Sequence, residues 1–271
     1  MIDAHFHIWR PARGDYGWLT PALGRLHRDV AIADWRREAA PCGVTGGILV
    51  QAAPTEAETR FLLDAAATEP DAPVLGVVGW VDLTAADAPH RVAEFALAPR
   101  LTGLRPMLQD IADPDWILAP AVAPGLAAIA AHGLTFDALV RPVHLLRIRT
   151  LAARHPDLTI VIDHGAKPDI AGDAFQPWAD EIERIARDTR AFCKLSGLLT
   201  EAGPAPERVP RYIAHLAACF GPERLIWGSD WPVLELAGNY RDWHALALKS
   251  VPAADRGAVF GGNARRAYRL A

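Results

Sequence analysis

The chain has 271 residues and a formal net charge of −4 at pH 7, with 51% hydrophobic and 22% charged residues. This length fits one large α/β domain or two ordinary domains, and the composition is that of a globular protein with a full core. The mild charge argues against a nucleic-acid partner and against a basic membrane-binding face.

Three cysteines, Cys42, Cys193 and Cys219, are widely separated and show no CxxC spacing. An odd number at such spacing predicts no disulfide framework and favours a reducing compartment. The first residues lack the pattern of a secretory signal, and no apolar stretch is long enough to cross a bilayer. We therefore expect a cytoplasmic protein with no membrane segment, and both a monomer and a homodimer remain open.

Eight short apolar segments, bounded by turn residues, recur along the chain. Each is rich in Ile, Val and Leu with little alternation, which is typical of parallel strands buried on both faces. The predicted strands are residues 1–7, 45–51, 74–80, 101–107, 133–139, 158–164, 190–196 and 224–230.

Helical segments lie between these strands. Residues 55–70 form one predicted helix, with Thr55 as its N-cap and Glu58 three residues later in the pattern of a capping box. Residues 143–156 and 206–221 are two more, and the second ends at a Gly-Pro pair, the usual stop signal.

Eight strands alternating with helices predict an α/β fold, a single-domain (β/α)8 TIM barrel spanning residues 1–271. A doubly wound open sheet is the alternative, but no GxGxxG follows the first strand. The longest irregular stretch, residues 9–31, follows that strand, and a long loop in a compact fold is usually a binding loop or lid.

Polar residues stand at the ends of three predicted strands. His5 and His7 end the first strand, His164 ends the sixth and Asp230 ends the eighth. Residues i and i+2 share one face of a strand, so both histidines can point into the barrel mouth, where barrels of this type carry their active sites. Three imidazoles and a carboxylate suit zinc or a similar ion, so the four are candidate metal ligands.

Four sequence motifs resemble those of the amidohydrolase superfamily, of the amidohydrolase family 2 type. They are DAHFHIW, VIDHGAKP, KLSGL and GSDWP, and they occur in the family's order over nearly the full chain. The nearest branch contains sugar lactonases and 2-pyrone-4,6-dicarboxylate lactonases. The resemblance implies a lactonase that opens a small lactone by water attack on the ester carbonyl. A sugar lactone such as an L-fucono- or L-rhamnono-lactone is the first expectation.

The resemblance also implies roles for single residues. His5 and His7 match the pair that holds a divalent ion in the metal-using members. His164 matches the histidine that ligates the metal or polarises the substrate carbonyl, and Asp230 matches the aspartate that takes the proton from the attacking water. The branch also contains members that work without a metal. The expected cofactor is therefore one divalent ion, zinc first, or none.

Two positions depart from the pattern of the binuclear members. Arg105 stands on the fourth strand, where members that bridge two metals from that strand carry a lysine. Asp137 stands on the fifth strand, where other members supply a histidine. A two-metal site is therefore not expected.

Further polar and aromatic residues at strand ends and in the first long loop are candidates for substrate binding. They are Arg105, Lys167, Lys194, Asp137, Gln51, Tyr16 and Trp18. Arginine favours bidentate contact with planar carboxylates, and aromatic walls often flank sugar rings. Structural alternatives stay open for the charged residues: Lys194 could pair with a barrel acid, and Asp137 could satisfy Arg105 or Lys194.

Three other functions compete with a sugar lactonase. One is a lactonase acting on a carboxylated, pyrone-type lactone, the second is a metal-dependent decarboxylase of the same superfamily, and the third is a barrel that binds without catalysis. A dicarboxylate substrate calls for several arginines, and only Arg105 and Arg141 stand near strand ends. A neutral polyhydroxylated lactone is therefore the better expectation.

Overall fold

Eight parallel strands form the centre of the molecule. The computed structural model describes residues 1–68 and 74–270. The strands are β1 (Ile2–Phe6), β2 (Gly46–Val50), β3 (Val74–Gly79), β4 (Leu101–Leu104), β5 (Thr135–Ala138), β6 (Thr159–Ile162), β7 (Phe192–Leu195) and β8 (Leu225–Trp227). Each lies within one of the eight predicted segments.

The strands follow one another around the sheet in chain order, from β1 to β8. The gap between the last strand and the first is spanned by a parallel bridge between Phe6 and Trp231. There, the His7 N–H donates to the Trp231 carbonyl at 2.8 Å and the Asp230 N–H donates to the His5 carbonyl at 2.8 Å. The (β/α)8 barrel predicted from the alternating strands and helices is confirmed.

Helices lie between the strands along the chain, and the last two follow β8. They are α1 (Ile32–Ala39), α2 (Glu56–Thr68), α3 (Ala88–Ala96), α4 (Ala123–Ala131), α5 (Leu145–Arg154), α6 (Phe175–Asp188), α7 (Leu198–Ala202), α8 (Val209–Arg224), α9 (Tyr240–Ser250) and α10 (Asn263–Tyr268). The three predicted helices correspond to α2, α5 and α8. Residues 69 and 70 of the first prediction, and residue 271 of the predicted domain, lie outside the described residues. The predicted stop at Gly221 is a break inside α8, where this glycine adopts φ +64°.

The start of α2 shows half of the predicted capping box. The Thr55 hydroxyl accepts the Glu58 N–H at 3.1 Å, as an N-cap should. The Glu58 carboxylate does not return to the Thr55 N–H. It accepts the N–H groups of Ala52 and Ala53, at 2.6 to 3.0 Å, in the loop that precedes the helix.

An irregularity in β1 controls which of its side chains enter the barrel. Between Asp3 and Phe6, β1 has one residue more than its partner β2. As a result Ala4 packs in the barrel interior, His5 follows it inward, and Phe6 stacks outward on Trp35 of α1. A bulge of this kind re-aims a strand's side chains, and here it brings a histidine to the mouth of the barrel.

The barrel interior below the mouth is filled by a compact apolar cluster. Strand residues including Ile2, Ile48 and Val161 form it, together with Ala267 and Tyr268 of α10. The C-terminal helix therefore closes the end of the barrel opposite the mouth, which leaves the other end open for a site.

Two further sequence-based expectations concern membranes and disulfides. Among residues 1–68 and 74–270, no helix combines the length and the apolar character needed to cross a bilayer. Cys42, Cys193 and Cys219 are all free thiols, in agreement with the expected lack of a disulfide framework.

Candidate active site

Three imidazoles and one carboxylate meet at the open end of the barrel. The Nε2 atoms of His5 and His7 are 3.2 Å apart, and Asp230 Oδ1 lies 3.6 Å and 3.4 Å from them. His164 Nε2 lies 3.8 Å from the same oxygen. All four side chains are buried. The structure thus brings together the four residues that were predicted from the strand ends.

Two of these residues have left-handed backbone conformations. His164 has φ +54° and Asp230 has φ +60°, and Ala166 and Lys167 share this conformation in the turn after β6. Such conformations cost about 1–3 kcal/mol each in residues other than glycine and cluster at functional sites. Strained backbone conformations therefore occur at both His164 and Asp230, where the side chains enter the mouth of the barrel.

Hydrogen bonds orient the imidazoles. His7 Nδ1 lies 2.8 Å from the Val50 carbonyl, which can only accept, so Nδ1 carries the proton and Nε2 offers its lone pair to the cavity. His164 Nδ1 lies 2.8 Å from the Ser196 hydroxyl at the end of β7, so its Nε2 also faces the site. An imidazole nitrogen held in this way can form a hydrogen bond with a ligand or ligate a metal.

Burial and mutual charge perturb the titration of the cluster. Burial lowers the pKa of His164 to about 4, although Asp230 raises it in part. Burial and the Lys194 ammonium lower the pKa of His5 well below its ordinary value. Burial raises the pKa of Asp230, but the facing His164, His7 and His5 lower it more, so the net pKa is below its usual range. At neutral pH the Asp230 carboxylate therefore faces the neutral imidazoles of His5 and His164.

Arg105, just after β4, lies beside the cluster. Its Nε donates to Gln51 Oε1 at 2.8 Å, and its guanidinium also donates to the Gln51 carbonyl. Its Nη1 donates to Asp163 Oδ2 at 3.0 Å and lies 3.4 Å from His5 Nε2. Gln51 and Asp163 therefore fix the position of a positive charge at the edge of the site.

Lys194 lies beneath the cluster, inside the barrel. Its ammonium is 2.6 Å from Asp137 Oδ2, 2.9 Å from Asp163 Oδ1 and 3.1 Å from His5 Nδ1. The Tyr268 hydroxyl donates to Asp137 from below at 2.8 Å. Lys194 and Asp137 have no exposed surface. Lys194 and Asp137 therefore form an ion pair inside the barrel, which was the alternative to substrate binding. Neither residue lines the cavity.

A cavity of about 190 Å³ opens above the four residues. Its lining includes His7, Trp18, Ala52, Arg105, Met107, Gln109, Asp110, Leu139, His164, Lys167, Asp230 and Val233. Lys167 reaches the wall and pairs with Glu201 at 2.7 Å. Trp18, from the long loop 9–31, donates its indole N–H to the Ala52 carbonyl at 2.7 Å. That loop therefore lines part of the cavity, and its role as a binding loop stays a prediction.

Two of the remaining predicted residues, Tyr16 and Gln51, lie behind the wall. Tyr16 is buried and faces Glu58, and Gln51 is buried under Arg105. A larger groove, of about 870 Å³, passes His155 and Arg190 at the opposite ends of the strands, far from the imidazole cluster. The smaller cavity is the better candidate because the perturbed titratable groups converge on it.

Sequence reasoning missed several wall residues. Met107, Gln109 and Asp110 come from the segment after β4, Leu139 from the end of β5 and Val233 from the segment after β8. These loop residues carry no motif that distinguishes them from other surface positions. Their role becomes visible only when the strand ends are placed around one mouth.

Asp3 is a second omission, and it anchors β8 to β1. It accepts the Ser229 N–H at 2.8 Å and hydroxyl at 2.7 Å, and it also accepts from Trp35 and Tyr240. Because Ser229 immediately precedes Asp230, this buried carboxylate fixes the approach of the Asp230 side chain. The sequence did contain an indication of this role, because Asp3 lies in the same predicted strand, residues 1–7, as both histidines.

The residues present fit one divalent ion. Zinc–nitrogen bonds of about 2.0–2.1 Å place tetrahedral ligands about 3.3–3.4 Å apart. The distances among His5 Nε2, His7 Nε2 and Asp230 Oδ1 are 3.2 to 3.6 Å. A second group, His5, Asp163 and His164, is also close enough. It is less suitable because Arg105 and Lys194 already hold the Asp163 carboxylate.

Comparison with known proteins places this geometry in a family. The family model described as amidohydrolase matches residues 2–270. An L-fucono-1,5-lactonase of Burkholderia ambifaria is 45% identical and covers 99% of this chain and 95% of its own length. An L-fucono-1,5-lactonase of Burkholderia multivorans is 36% identical and covers 99% of this chain and 96% of its own length.

A solved structure agrees with these relatives. A crystal structure of an amidohydrolase from Burkholderia multivorans with bound zinc has a TM-score of 0.93 and 34% identity, covering 100% of this chain and 99% of its own. The resemblance first indicated by four short motifs therefore extends over the whole barrel. The chain belongs to the amidohydrolase family.

Proposed function

We propose that this protein is a sugar lactonase that opens a small aldonolactone by adding water to the ester carbonyl. The observation that carries the proposal is the ionised Asp230 carboxylate facing three imidazoles at the floor of a small cavity. The 45% identity to an L-fucono-1,5-lactonase over 99% of this chain supports a 6-deoxy aldonolactone as the first substrate to test.

Lactone opening requires a base for the attacking water and stabilisation of the oxyanion that forms. Asp230 is the proposed base, since its carboxylate lies at the cavity wall, whereas the Asp163 carboxylate, also near the imidazoles, is held by Arg105 and Lys194. His164 and Arg105 both line the cavity. With Nδ1 accepting from the Ser196 hydroxyl, the His164 Nε2–H can donate to the developing oxyanion, and Arg105 can bind a substrate oxygen. Held by Ser196 and Gln51, these groups need little reorganisation during the reaction.

His5, His7 and Asp230 would hold a divalent ion, with His164 as a further ligand. His5 Nδ1 accepts from the Lys194 ammonium at 3.1 Å, so the His5 proton lies on Nε2. For His5 to serve as a ligand through Nε2, this proton would have to move to Nδ1, which also faces Asp163 Oδ1 at 3.6 Å, and the Lys194 contact would have to break. When bound, the ion supplies Lewis-acid polarisation of a carbonyl and acidification of water. The zinc in the structural relative supports this assignment.

The cavity wall favours a neutral polyhydroxylated ring. Lys167 and Arg105 are its cations, Asp110 and Gln109 offer acceptors for hydroxyl groups, and Trp18 provides an aromatic edge. A dicarboxylate would be repelled by Asp110 and Asp230 in the same wall, and both cations are already paired, Arg105 with Asp163 and Lys167 with Glu201.

We further propose a cytoplasmic location and a small-molecule lactone as the partner, without nucleic acid. The free cysteines and the mild net charge support this proposal. Size-exclusion chromatography with light scattering will distinguish a monomer from a homodimer.

A pH-indicator assay of acid release tests the proposed function on five- and six-membered aldonolactones, each with the metal-depleted and the zinc-reloaded protein. We expect rapid opening of 6-deoxy aldonolactones by the wild type and a loss of at least about 100-fold in Asp230→Asn, as for removal of a general base. Opening of no sugar lactone would overturn the proposal. A pyrone dicarboxylate lactone and an aromatic carboxylate in the same panel test the alternative activities.

A further inference from the structure

Glu58 is a buried carboxylate that the proposed reaction does not use. It has no exposed surface, although it lies on the first turn of α2, where acidic residues usually face solvent. Both of its oxygens accept the Ala52 N–H at 3.0 Å, and Oε2 also accepts the Ala53 N–H at 2.6 Å. Burying a carboxylate is costly unless hydrogen bonds offset its lost hydration, and here the backbone of the neighbouring segment donates them.

The segment held by Glu58, residues 51–53, supports two parts of the cavity wall. Gln51 accepts Arg105 Nε through its side chain at 2.8 Å, and its amide donates to the Ala53 carbonyl at 3.1 Å. The Ala52 carbonyl accepts the Trp18 indole N–H at 2.7 Å. Fixing the backbone of this segment therefore fixes both a cation and an aromatic side chain in the cavity.

We propose that Glu58 is a positioning residue, whose carboxylate holds residues 51–53 so that Arg105 and Trp18 keep their places in the substrate cavity. This inference rests on the proposed lactonase function for its kinetic consequence, but not for its structural one. Glu58 itself lies behind the wall and touches no part of the cavity. It acts on substrate binding rather than on the chemical step.

The environment of Glu58 makes this support sensitive to pH. Burial raises the pKa of Glu58 to about 7, although the N–H groups of Ala53 and Ala52 lower it in part. On loop 9–31 Asp15 and Tyr16 face it, and Arg13 pairs with Asp15 at 2.8 Å. Protonation of Glu58 below neutral pH weakens the bonds to the loop, so substrate binding should weaken as the pH falls.

The test measures kcat and KM for a sugar lactone between pH 5.5 and 8.5 in the wild type, Glu58→Gln and Glu56→Gln. Glu56 is the matched control because it lies on the same helical turn but pairs with Arg91, away from residues 51–53. We expect Glu58→Gln to raise KM about tenfold at pH 8 with kcat within about twofold, the scale of one lost hydrogen bond to a charged group. The wild type and Glu56→Gln should show KM rising below about pH 7, and Glu58→Gln should show no such rise.

Hydrogen exchange of the Ala52 and Ala53 amides provides a readout that needs no substrate. We expect faster exchange at these two amides in Glu58→Gln at pH 8, and no change in Glu56→Gln. Unchanged exchange, an unchanged KM or a fall in kcat alone would each overturn the inference. Faster exchange in a protein that opens no lactone would sustain the positioning role and refute the lactonase function instead. If Glu58→Gln does not fold, a wild-type KM that stays flat with pH would overturn the inference by itself.

Discussion

Replacing Lys194 by methionine is the sharpest test of how the barrel supports its site. The sequence left open whether this lysine binds substrate or pairs with a barrel acid. In the structure its ammonium lies between Asp137 and Asp163, at 2.6 and 2.9 Å, with no exposed surface on any of the three side chains. Methionine has a similar length and no charge, so the substitution removes the cation without opening a large cavity.

The expected cost follows from the two carboxylates left behind. Removing one partner of a buried ion pair costs about 3–5 kcal/mol. Asp163 keeps Arg105 at 3.0 Å, whereas among the described residues Asp137 keeps only the Tyr268 hydroxyl. For a chain of this size, the loss corresponds to a fall in Tm on the order of 10 °C.

The pH dependence of this cost has a definite sign. Burial already raises the pKa of Asp137, and Lys194 lowers it in part. Without Lys194 the folded-state pKa rises further above the unfolded value. An acid whose pKa is higher in the folded than in the unfolded state stabilises the fold at low pH. This stabilisation is lost as the pH rises through the folded-state pKa. The destabilisation by Lys194→Met should therefore be larger at pH 8 than at pH 5.5.

Urea denaturation at both pH values measures this effect, with Lys249→Met as the matched control because Lys249 is exposed on α9. Adding Asp137→Asn to Lys194→Met should restore about 1–3 kcal/mol, since the unpaired carboxylate is then gone. A Lys194→Met protein as stable as the Lys249→Met control, with only its KM raised, would refute the ion-pair interpretation and favour contact with substrate.

Two further substitutions test the cavity. Ser196→Ala removes the hydrogen-bond partner of His164 Nδ1, so the imidazole loses its orientation. We expect kcat/KM to fall tenfold or more, with little change in the free energy of unfolding. Full activity would show that the hydroxyl is dispensable. Lys167→Met should raise KM several-fold and change kcat less, since its ammonium lines the cavity. If Lys167→Met and Lys249→Met have the same KM, Lys167 does not bind substrate, and its ion pair with Glu201 only holds the two loops together.

The sequence by itself determined the barrel and predicted the centre of its candidate site. Continuous apolar runs predict strands buried on both faces, and eight of them separated by helices leave few other folds. Polar residues at strand ends then point to the mouth, because the carboxyl ends of parallel strands meet there. His5, His7, His164 and Asp230 were found in this way, and the structure brings their side chains within hydrogen-bonding or ligand distance of one another.

The depth of a side chain inside the barrel was decided only by the tertiary structure. A period of two tells which face of a strand a residue occupies, but its height along the barrel axis depends on the stagger between strands. Lys194 and Asp137 face inward as their positions suggest, yet they lie one layer below the cavity. The bulge in β1 likewise sets the inward direction of His5, and it arises from pairing with β2 rather than from any local pattern.

The sequence also could not predict which side chains and backbone groups, distant along the chain, contact one another. Glu58 has the spacing of a helix cap, and the local pattern cannot reveal that its carboxylate turns to Ala52 and Ala53 instead. Met107 and Val233 carry no motif, and only the convergence of loops around one mouth makes them part of a wall. Local propensity and periodicity are written in neighbouring residues, whereas the shape of a cavity is a property of segments that meet only after the chain has folded.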